Sequence, residues 1–360
     1  MKSVTRILIT ALVLTGIGFI PLPYQVETLR PALNAKDFVQ VQGGTSQGKG
    51  QIYVMAVGVS DARVFSLFLT LLPNYRLETE YVSVPENYFD KEKGREEREN
   101  STMGSSHLNA LQVAYQASGH TVEIRHKEIF VDAVSQETPL AQELQKGDVI
   151  LKIDNQSYTS PYDIVDQMEQ RPVGDVVSIE YSRNGVIGLA SGPVIVDETT
   201  GKPGLGIALG SKASVAMNPL TKFKSNGVAG PSGGLMFSLE LYNQLVSEDI
   251  TKGKAIAGTG TIDHKGNVGR IGGIEMKVMA ADKAGAEIFF VPDDTIDADI
   301  AQYNPKLRSN YHEALRASIK IKSKMKIVPV KTFNEALNYL REMEDRKSTR
   351  LNSSHALASR

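Results

Sequence analysis

Alternating and helically spaced apolar positions predict most of the elements of this chain. An apolar run fills residues 7–21. Residues 38–42 and 51–57 alternate apolar and polar positions, so we expect two strands that form a hairpin across the Gly-rich residues 43–50. Residues 64–72 are apolar enough for a buried helix. These features predict a small β-rich region behind an apolar N-terminus.

The rest of the chain mixes strands and helices. A helix is expected over residues 106–117, where apolar side chains recur at helical spacing before Gly119. Further on, Thr332 and Glu335 form a T-x-x-E capping box at the start of a last helix. Strands are predicted at residues 206–209, 255–261, 288–291 and 325–330, and helices after Ser232 and over 274–284. This order predicts an α+β fold of several domains.

Basic residues precede the N-terminal apolar run. Lys2 and Arg6 stand before it, which is the arrangement of an export signal. An uncleaved anchor and a cleaved signal peptide both fit, because the run is short for a bilayer span. No clear small-x-small cleavage site precedes Pro21 and Pro23, which favours the anchor. We therefore expect an N-terminal transmembrane helix, with the chain after Tyr24 outside the cytoplasm.

Composition and charge exclude several classes of function. The net charge is -1, the pI is near 6.6 and no long basic run occurs, so nucleic acid is not an expected partner. The chain has no cysteine, which rules out disulfides, thiolate catalysis and Cys-bound metal. Residues 43–50 nearly spell a P-loop, but Gly50 stands where a Ser or Thr is needed to hold magnesium. We expect neither a cofactor nor a metal ion.

Two glycine-containing segments carry the strongest candidate chemistry. A G-P-S-G-G segment at residues 230–234 centres on Ser232, and a G-G-I-E-M-K segment at residues 272–277 ends on Lys277. Taken singly, such a serine is most often a helix cap and such a lysine a solvated surface residue. A serine hydroxyl becomes a strong nucleophile only when a base takes its proton, and burial can keep a lysine neutral for that role.

Residues 123–190 contain an L-x-x-G-D-x-I segment at 144–150, a predicted helix at 161–169 and a final strand at 176–183. This order of elements resembles a PDZ domain. Gly147 suits a tight turn, so the motif reports the fold rather than any chemistry. The family's carboxylate-binding loop, Gly-hydrophobic-Gly-hydrophobic, is not evident before the first strand. The resemblance implies a module that binds free C-termini, or one that positions a substrate by adding it as an extra strand to the edge of the sheet.

Residues 194–343 resemble the proteolytic domain of the Lon family. Its signature pieces, G-P-S-A-G, T-G-x-[VI] and G-G-hydrophobic-x-x-K, occur in order at residues 230–234, 259–262 and 272–277. The resemblance implies that Ser232 is the nucleophile, Lys277 its base and Thr259 the hydroxyl that holds the amine. The glycines beside the serine, Gly230 and Gly233, are expected to let a peptide backbone approach. Gly233 replaces the family's alanine, a change expected to loosen the helix start and to leave the nucleophile intact.

Together the two resemblances imply a membrane-anchored PDZ-Lon protease of bacteria, without the ATPase because the chain has no valid Walker motif. The expected function is an ATP-independent serine endopeptidase that cuts accessible segments of exported or membrane proteins. It is expected at the bacterial cell membrane, with protein or peptide substrates, and a homo-oligomer is compatible with it. A non-catalytic, PDZ-centred scaffold at the membrane is one alternative. An HtrA-like serine protease is another, although it requires a histidine and an aspartate upstream of the serine.

The expected domain map follows from these features. It comprises a signal anchor at 1–25, an N-terminal α+β region at 26–122, the PDZ-like domain at 123–190 and the Lon-type proteolytic domain at 194–343. Residues 344–360 lack apolar periodicity and are expected to be a disordered or artefactual tail.

Overall fold

A computed structural model of the chain describes residues 5, 9, 12, 15–44, 48–69, 71–72, 79–83, 92–135, 138–196, 202–224, 230–294 and 308–343. The strands are β1 Pro21–Leu29, β2 Leu33–Asn34, β3 Val39–Val41, β4 Gln51–Val54, β5 Val57–Arg63, β6 Thr79–Ser83, β7 Thr121–Val134, β8 Val149–Ile153, β9 Val176–Arg183, β10 Val186–Pro193, β11 Ile195–Val196, β12 Pro203–Gly204, β13 Ile207–Asn218, β14 Thr221–Phe223, β15 Ala255–Gly258, β16 Thr261–Ile262, β17 Val268–Gly269, β18 Ile288–Pro292 and β19 Lys326–Val330. The helices are α1 Val64–Leu69, α2 Glu92–Ser118, α3 Pro161–Glu169, α4 Gly234–Leu245, α5 Ile274–Lys283, α6 Asn310–Lys320 and α7 Phe333–Glu342.

The C-terminal unit is built on a sheet with the strand order β19-β18-β15-β4-β2. Neighbours from β19 to β4 are parallel, and β2 closes the edge antiparallel to β4. Successive side chains of β18 point to opposite faces of the sheet, as they do in any strand. Phe290 packs in the core with α2, α4 and α7. Phe289 and Val291 pack in the core with α5 and α6. The sheet is therefore buried on both faces.

Part of this sheet comes from the N-terminal third of the chain. Strand β4 pairs with β15 in the register Ile52 to Ile256, and side chains of α2 lie in the same core as those of α4. The structure thus adds β2, β4 and α2 to the unit that the sequence assigned to residues 194–343.

The middle domain is a sheet in the order β10-β9-β8-β7-β13 with its own core. Helix α3 begins with Ser160 as N-cap and Pro161 in its first turn, and it buries Ile164 and Met168 against the sheet. Strand β13 pairs antiparallel with β7 along its full length, from Ile207 to Asn218.

A smaller sheet, β5-β1-β6, lies against helix α5. Strands β1 and β5 pair from Pro21–Arg63 at one end to Leu29–Val57 at the other. The Leu29–Val57 end approaches the start of α5, where a Cβ built on Gly273 would lie 2.9 Å from a methyl group of Val57.

Two of the expected elements are wrong. Residues 38–42 and 51–57 do not form a hairpin, because β3 pairs with β14 whereas β4 pairs with β2 and β15. Helix α1 is not buried, since Phe65 and Phe68 are largely exposed. The helix expected at 106–117 is confirmed as part of the longer α2, which ends just before Gly119 at a φ of 74°.

The expected N-terminal anchor lies largely outside the described residues. Residues 15–18 are helical, and strand β1 begins at Pro21, within the range 1–25. None of the helices in the described part of the chain has the length and apolar character needed to cross a bilayer. The tail at 344–360 also lies outside the described residues.

Candidate active site

Ser232 lies in a tight turn that leads into helix α4. Gly230 has a φ of 94°, which glycine adopts readily, and residues Pro231–Gly233 form one turn of 3-10 helix. Two backbone hydrogen bonds fix this turn to the strand end opposite: the Gly260 amide donates to the Ser232 carbonyl at 2.8 Å, and the Leu235 amide donates to the Gly260 carbonyl at 3.1 Å. The serine is therefore held on rigid backbone at a helix start.

Gly233 has no room for a side chain. A Cβ at this position would lie 2.9 Å from the ring of Phe237 and 3.0 Å from a methyl group of Val54. From the sequence, this glycine is expected only to remove a methyl group and so to loosen the helix start. In the structure the ring of Phe237 lies against the glycine, so the close packing extends to the nucleophile turn.

Lys277 reaches the serine from the first turns of helix α5. Its side chain is 2% exposed, and its Nζ lies 3.1 Å from Ser232 Oγ and 3.2 Å from Thr259 Oγ1. The helix starts from Gly273 in the left-handed conformation, with a φ of 67°. The structure thus brings together Ser232, Lys277 and Thr259, the three side chains that the sequence predicted.

Burial changes the proton affinity of the amine. Loss of hydration lowers the pKa of Lys277 from 10.5 to about 8, and the carboxylate of Glu27 on β1 opposes this by raising it. Glu27 Oε2 lies 3.1 Å from the position that a Cβ on Gly273 would occupy, at the start of α5. Sequence reasoning missed Glu27, because nothing local in residues 21–29 relates that strand to a lysine so far along the chain.

Thr259 links the amine to the nucleophile turn. Its Oγ1 donates to the Ser232 carbonyl at 3.0 Å and accepts from Lys277 Nζ, and its amide donates to the Phe290 carbonyl at 3.0 Å. With one N–H directed at Thr259, a neutral Lys277 can turn its lone pair toward the Ser232 hydroxyl. A serine and a lysine in this arrangement can act as a nucleophile and an oriented base.

Two side chains of helix α2 donate hydrogen bonds to the backbone around Ser232. Ser106 Oγ donates to the Pro231 carbonyl at 3.3 Å, and Asn109 Nδ2 donates to the Ile262 carbonyl at 2.9 Å. The amide oxygen of Asn109 accepts from the hydroxyl of Tyr162 on α3 at 2.5 Å. Helix α2 is therefore hydrogen-bonded both to the middle domain, through Asn109, and to the turn that carries Ser232, through Ser106.

The histidines in the described part of the chain have other partners. His120, His126 and His312 each share a hydrogen bond with a serine other than Ser232, and His264 stacks on Tyr162. His107 stacks on Phe223, and burial lowers its pKa to about 4. This geometry disfavours the HtrA-like alternative, which needs a histidine at the serine. No cluster of His, Asp or Glu among the described residues could hold a metal ion.

The middle domain carries a Gly-hydrophobic-Gly-hydrophobic loop that the sequence reasoning sought in the wrong place. It is Gly204-Leu205-Gly206-Ile207, which follows the last predicted strand instead of preceding the first. It opens β13, the edge strand of the sheet, and contacts helix α3. The left-handed Gly206, with a φ of 67°, packs so closely on Thr138 and Ile195 that no side chain fits.

Comparisons with known proteins match two segments of this chain to known families. A family model described as the Lon protease (S16) C-terminal proteolytic domain matches residues 226–340, and one described as a PDZ domain matches residues 117–191. The chain is 30% identical over 127 residues to an archaeal Lon protease of Archaeoglobus fulgidus, a match of 35% of this chain and 17% of that protein. It is 27% identical over 109 residues to the Lon protease of Aster yellows witches'-broom phytoplasma, 30% of this chain and 12% of that protein. The matches thus span less than a fifth of either relative.

Among solved structures, the chain is similar to the PDZ domain of an SdrC-like protein from Listeria monocytogenes, with 32% identity and a TM-score of 0.21. That match covers 22% of this chain and 85% of the other. The corresponding domain from Listeria innocua shows 33% identity, a TM-score of 0.22 and coverage of 23% and 93%.

Proposed function

Because this chain joins a PDZ domain to the C-terminal proteolytic domain of Lon proteases, we propose that it is an ATP-independent serine endopeptidase with a Ser232–Lys277 dyad. The observation that carries the proposal is the 3.1 Å separation of Lys277 Nζ and Ser232 Oγ, together with the burial of that amine. A lysine that has lost its hydration is a base near neutral pH, and a hydroxyl in hydrogen-bond reach is its natural proton donor.

Acylation follows from this geometry. Neutral Lys277 takes the proton of Ser232 as Oγ attacks the carbonyl carbon of the scissile bond, which places the charge on the carbonyl oxygen. The ammonium of Lys277 then gives that proton to the leaving nitrogen, so the C–N bond breaks and the serine ester remains. Water hydrolyses the ester by the same route: Lys277 takes a proton from the water, and the proton returns to Ser232 as the ester breaks.

The oxyanion of this reaction requires N–H donors at the nucleophile turn. Pro231 has no N–H, the Gly234 amide donates to the Pro231 carbonyl, and the Leu235 amide donates to the Gly260 carbonyl. We assign the role to the amides of Ser232 and Gly233, which belong to the turn at the positive end of the α4 dipole. Close packing at Gly233 keeps these amides in place.

The substrates that fit this chain are already accessible polypeptide segments. The sequence has no valid Walker motif to drive unfolding. Strand β13 is an edge strand that contacts α3 beside the Gly204–Ile207 loop, an arrangement that suits an extended peptide added to that edge. With the expected N-terminal anchor in the bilayer, the site would act outside the cytoplasm on flexible segments of exported or membrane proteins.

The test uses the full chain, reconstituted in lipid vesicles, and a fluorogenic unfolded protein. Ser232→Ala and Lys277→Ala are each expected to lower kcat/KM by about 1000-fold or more, as loss of a nucleophile or its base does elsewhere. Lys283→Ala, on the exposed end of the same helix, serves as the matched control and is expected to retain activity. Turnover that survives both substitutions would overturn the dyad. No turnover even by the unsubstituted chain would leave the non-catalytic PDZ scaffold as the function.

A further inference from the structure

Helix α1 and the residues after it form an apolar surface that faces solvent. Phe65, Leu67, Phe68, Leu71 and Leu72 are all exposed, with Phe68 at 62% and Leu71 at 79%. Ser66 is the one polar residue of the helix, and its hydroxyl donates a hydrogen bond to the Arg63 carbonyl at 2.6 Å. This is the reverse of a surface helix in water, which exposes its polar residues and buries its apolar ones. No charged residue occurs anywhere in residues 64–72.

This surface continues into the end of the N-terminal apolar run. The Val64 amide donates to the Ile20 carbonyl at 3.0 Å, and the Arg63 guanidinium lies 5.5 Å from the ring centroid of Phe19. A Cβ built on Gly18 would lie 3.5 Å from that of Phe65. Ile17, Phe19 and Ile20 are themselves exposed, so the two segments form one apolar patch, which we call the α1 patch.

We propose that the α1 patch is a second membrane contact, which lies in the plane of the bilayer surface beside the expected anchor. The occupant is a lipid surface because the apolar run of residues 7–21 enters the fold at this patch. A run that lies in the bilayer brings Phe19 and Ile20, and with them Phe65 and Phe68, to the lipid boundary. Aromatic and aliphatic side chains on a short uncharged helix are the groups that insert there, and Arg63 at its edge suits the headgroup level.

This membrane contact would limit the distance between the active site and the lipid boundary. Strands β1 and β5 run from the patch, at the Pro21–Arg63 pair, to Glu27 beside the start of α5. Six residues of strand span about 20 Å, so the start of α5 lies no more than about that distance from the patch, which keeps the dyad close to the lipid boundary. The inference rests on the membrane anchoring in the proposed function and is independent of the peptidase chemistry. It narrows the reachable cleavage sites to membrane-proximal segments.

The absence of tryptophan from the chain allows a direct test. In full-length protein reconstituted in phosphatidylcholine vesicles, Phe68→Trp supplies a single reporter in the patch. Its emission is expected to fall about twofold when the acyl chains carry bromine, because an interfacial helix buries its apolar face about 5–10 Å into the headgroup and acyl boundary. The matched control is Ile319→Trp on α6, which replaces a side chain that is 75% exposed and is expected to show no such loss.

Vesicle flotation separates the outcomes. Flotation with bromine quenching of Phe68→Trp alone supports the proposal. Flotation without quenching leaves the anchor in place and overturns the second contact, and shielding from aqueous acrylamide in that case identifies a protein partner, such as a second copy, as the occupant. Failure to float overturns the anchor and the patch together. Hydrolysis of the fluorogenic protein is measured on the same samples, so a failure of the peptidase proposal remains distinguishable.

Discussion

Raising the pH from 7 to 9 is expected to increase kcat/KM about tenfold, because Lys277 must be neutral to act as the base. Burial lowers the pKa of Lys277 to about 8, so the amine is mostly charged at the lower pH and mostly neutral at the higher one. Initial rates on a fluorogenic peptide across this range, at substrate concentrations far below KM, measure the midpoint directly.

Glu27 is expected to influence the same pH dependence. Its carboxylate raises the pKa of Lys277, so Glu27→Gln is expected to move the midpoint below that of the unsubstituted enzyme and to increase the relative rate at pH 7. Glu275→Gln is the matched control: it removes a carboxylate from the same helix as Lys277, but one that pairs with Lys320 at 3.2 Å. A midpoint near 10.5 in the unsubstituted enzyme, or equal midpoints in both variants, would refute the reasoning.

Other predictions concern stability and coupling. Lys277→Met is expected to abolish activity yet raise the free energy of unfolding in urea by about 3 kcal/mol at pH 7, the equivalent of a pKa lowered from 10.5 to about 8. The native state binds the proton more weakly, so this gain is complete below pH 8 and disappears as the pH rises toward 10.5; a pH-independent difference would contradict it. Gly233→Ala is expected to cost about 1–3 kcal/mol through overpacking, whereas Gly272→Ala, with no atom within 4 Å of the new methyl group, is expected to be neutral in the same denaturation. Tyr162→Phe removes the hydrogen bond to Asn109 and is expected to lower kcat with little effect on thermal stability, and an unchanged kcat would exclude coupling through that bond.

Local features of the sequence predicted the parts of the fold that depend on local geometry. The start of α3 follows from Ser160 and Pro161, and the start of α7 from Thr332, whose hydroxyl accepts from the Glu335 amide. The pairing of Ser232 with Lys277 was predicted from the resemblance of their ordered motifs to those of the Lon family. The capping residues lie next to the helices that they start, whereas Ser232 and Lys277 lie 45 positions apart and are linked only by that resemblance.

Long-range pairing explains the features that were missed. Alternation in residues 38–42 and 51–57 predicts strands but not their partners, and β3 and β4 found theirs in distant segments rather than in each other. Glu27 reaches the active site only because β1 lies against α5. The exposure of α1 was also missed, since an apolar pattern has the same appearance whether a protein core or another apolar phase covers it.

Burial of Lys277 lowers the pKa of its amine, so a far larger fraction is neutral near pH 7 than for a lysine in water. An NMR titration of the ¹⁵N-labelled lysine amines, with the Lys277 signal assigned by its loss in Lys277→Arg, measures this directly. The expected midpoint for Lys277 is about 8. A midpoint at the ordinary value of 10.5 would contradict it.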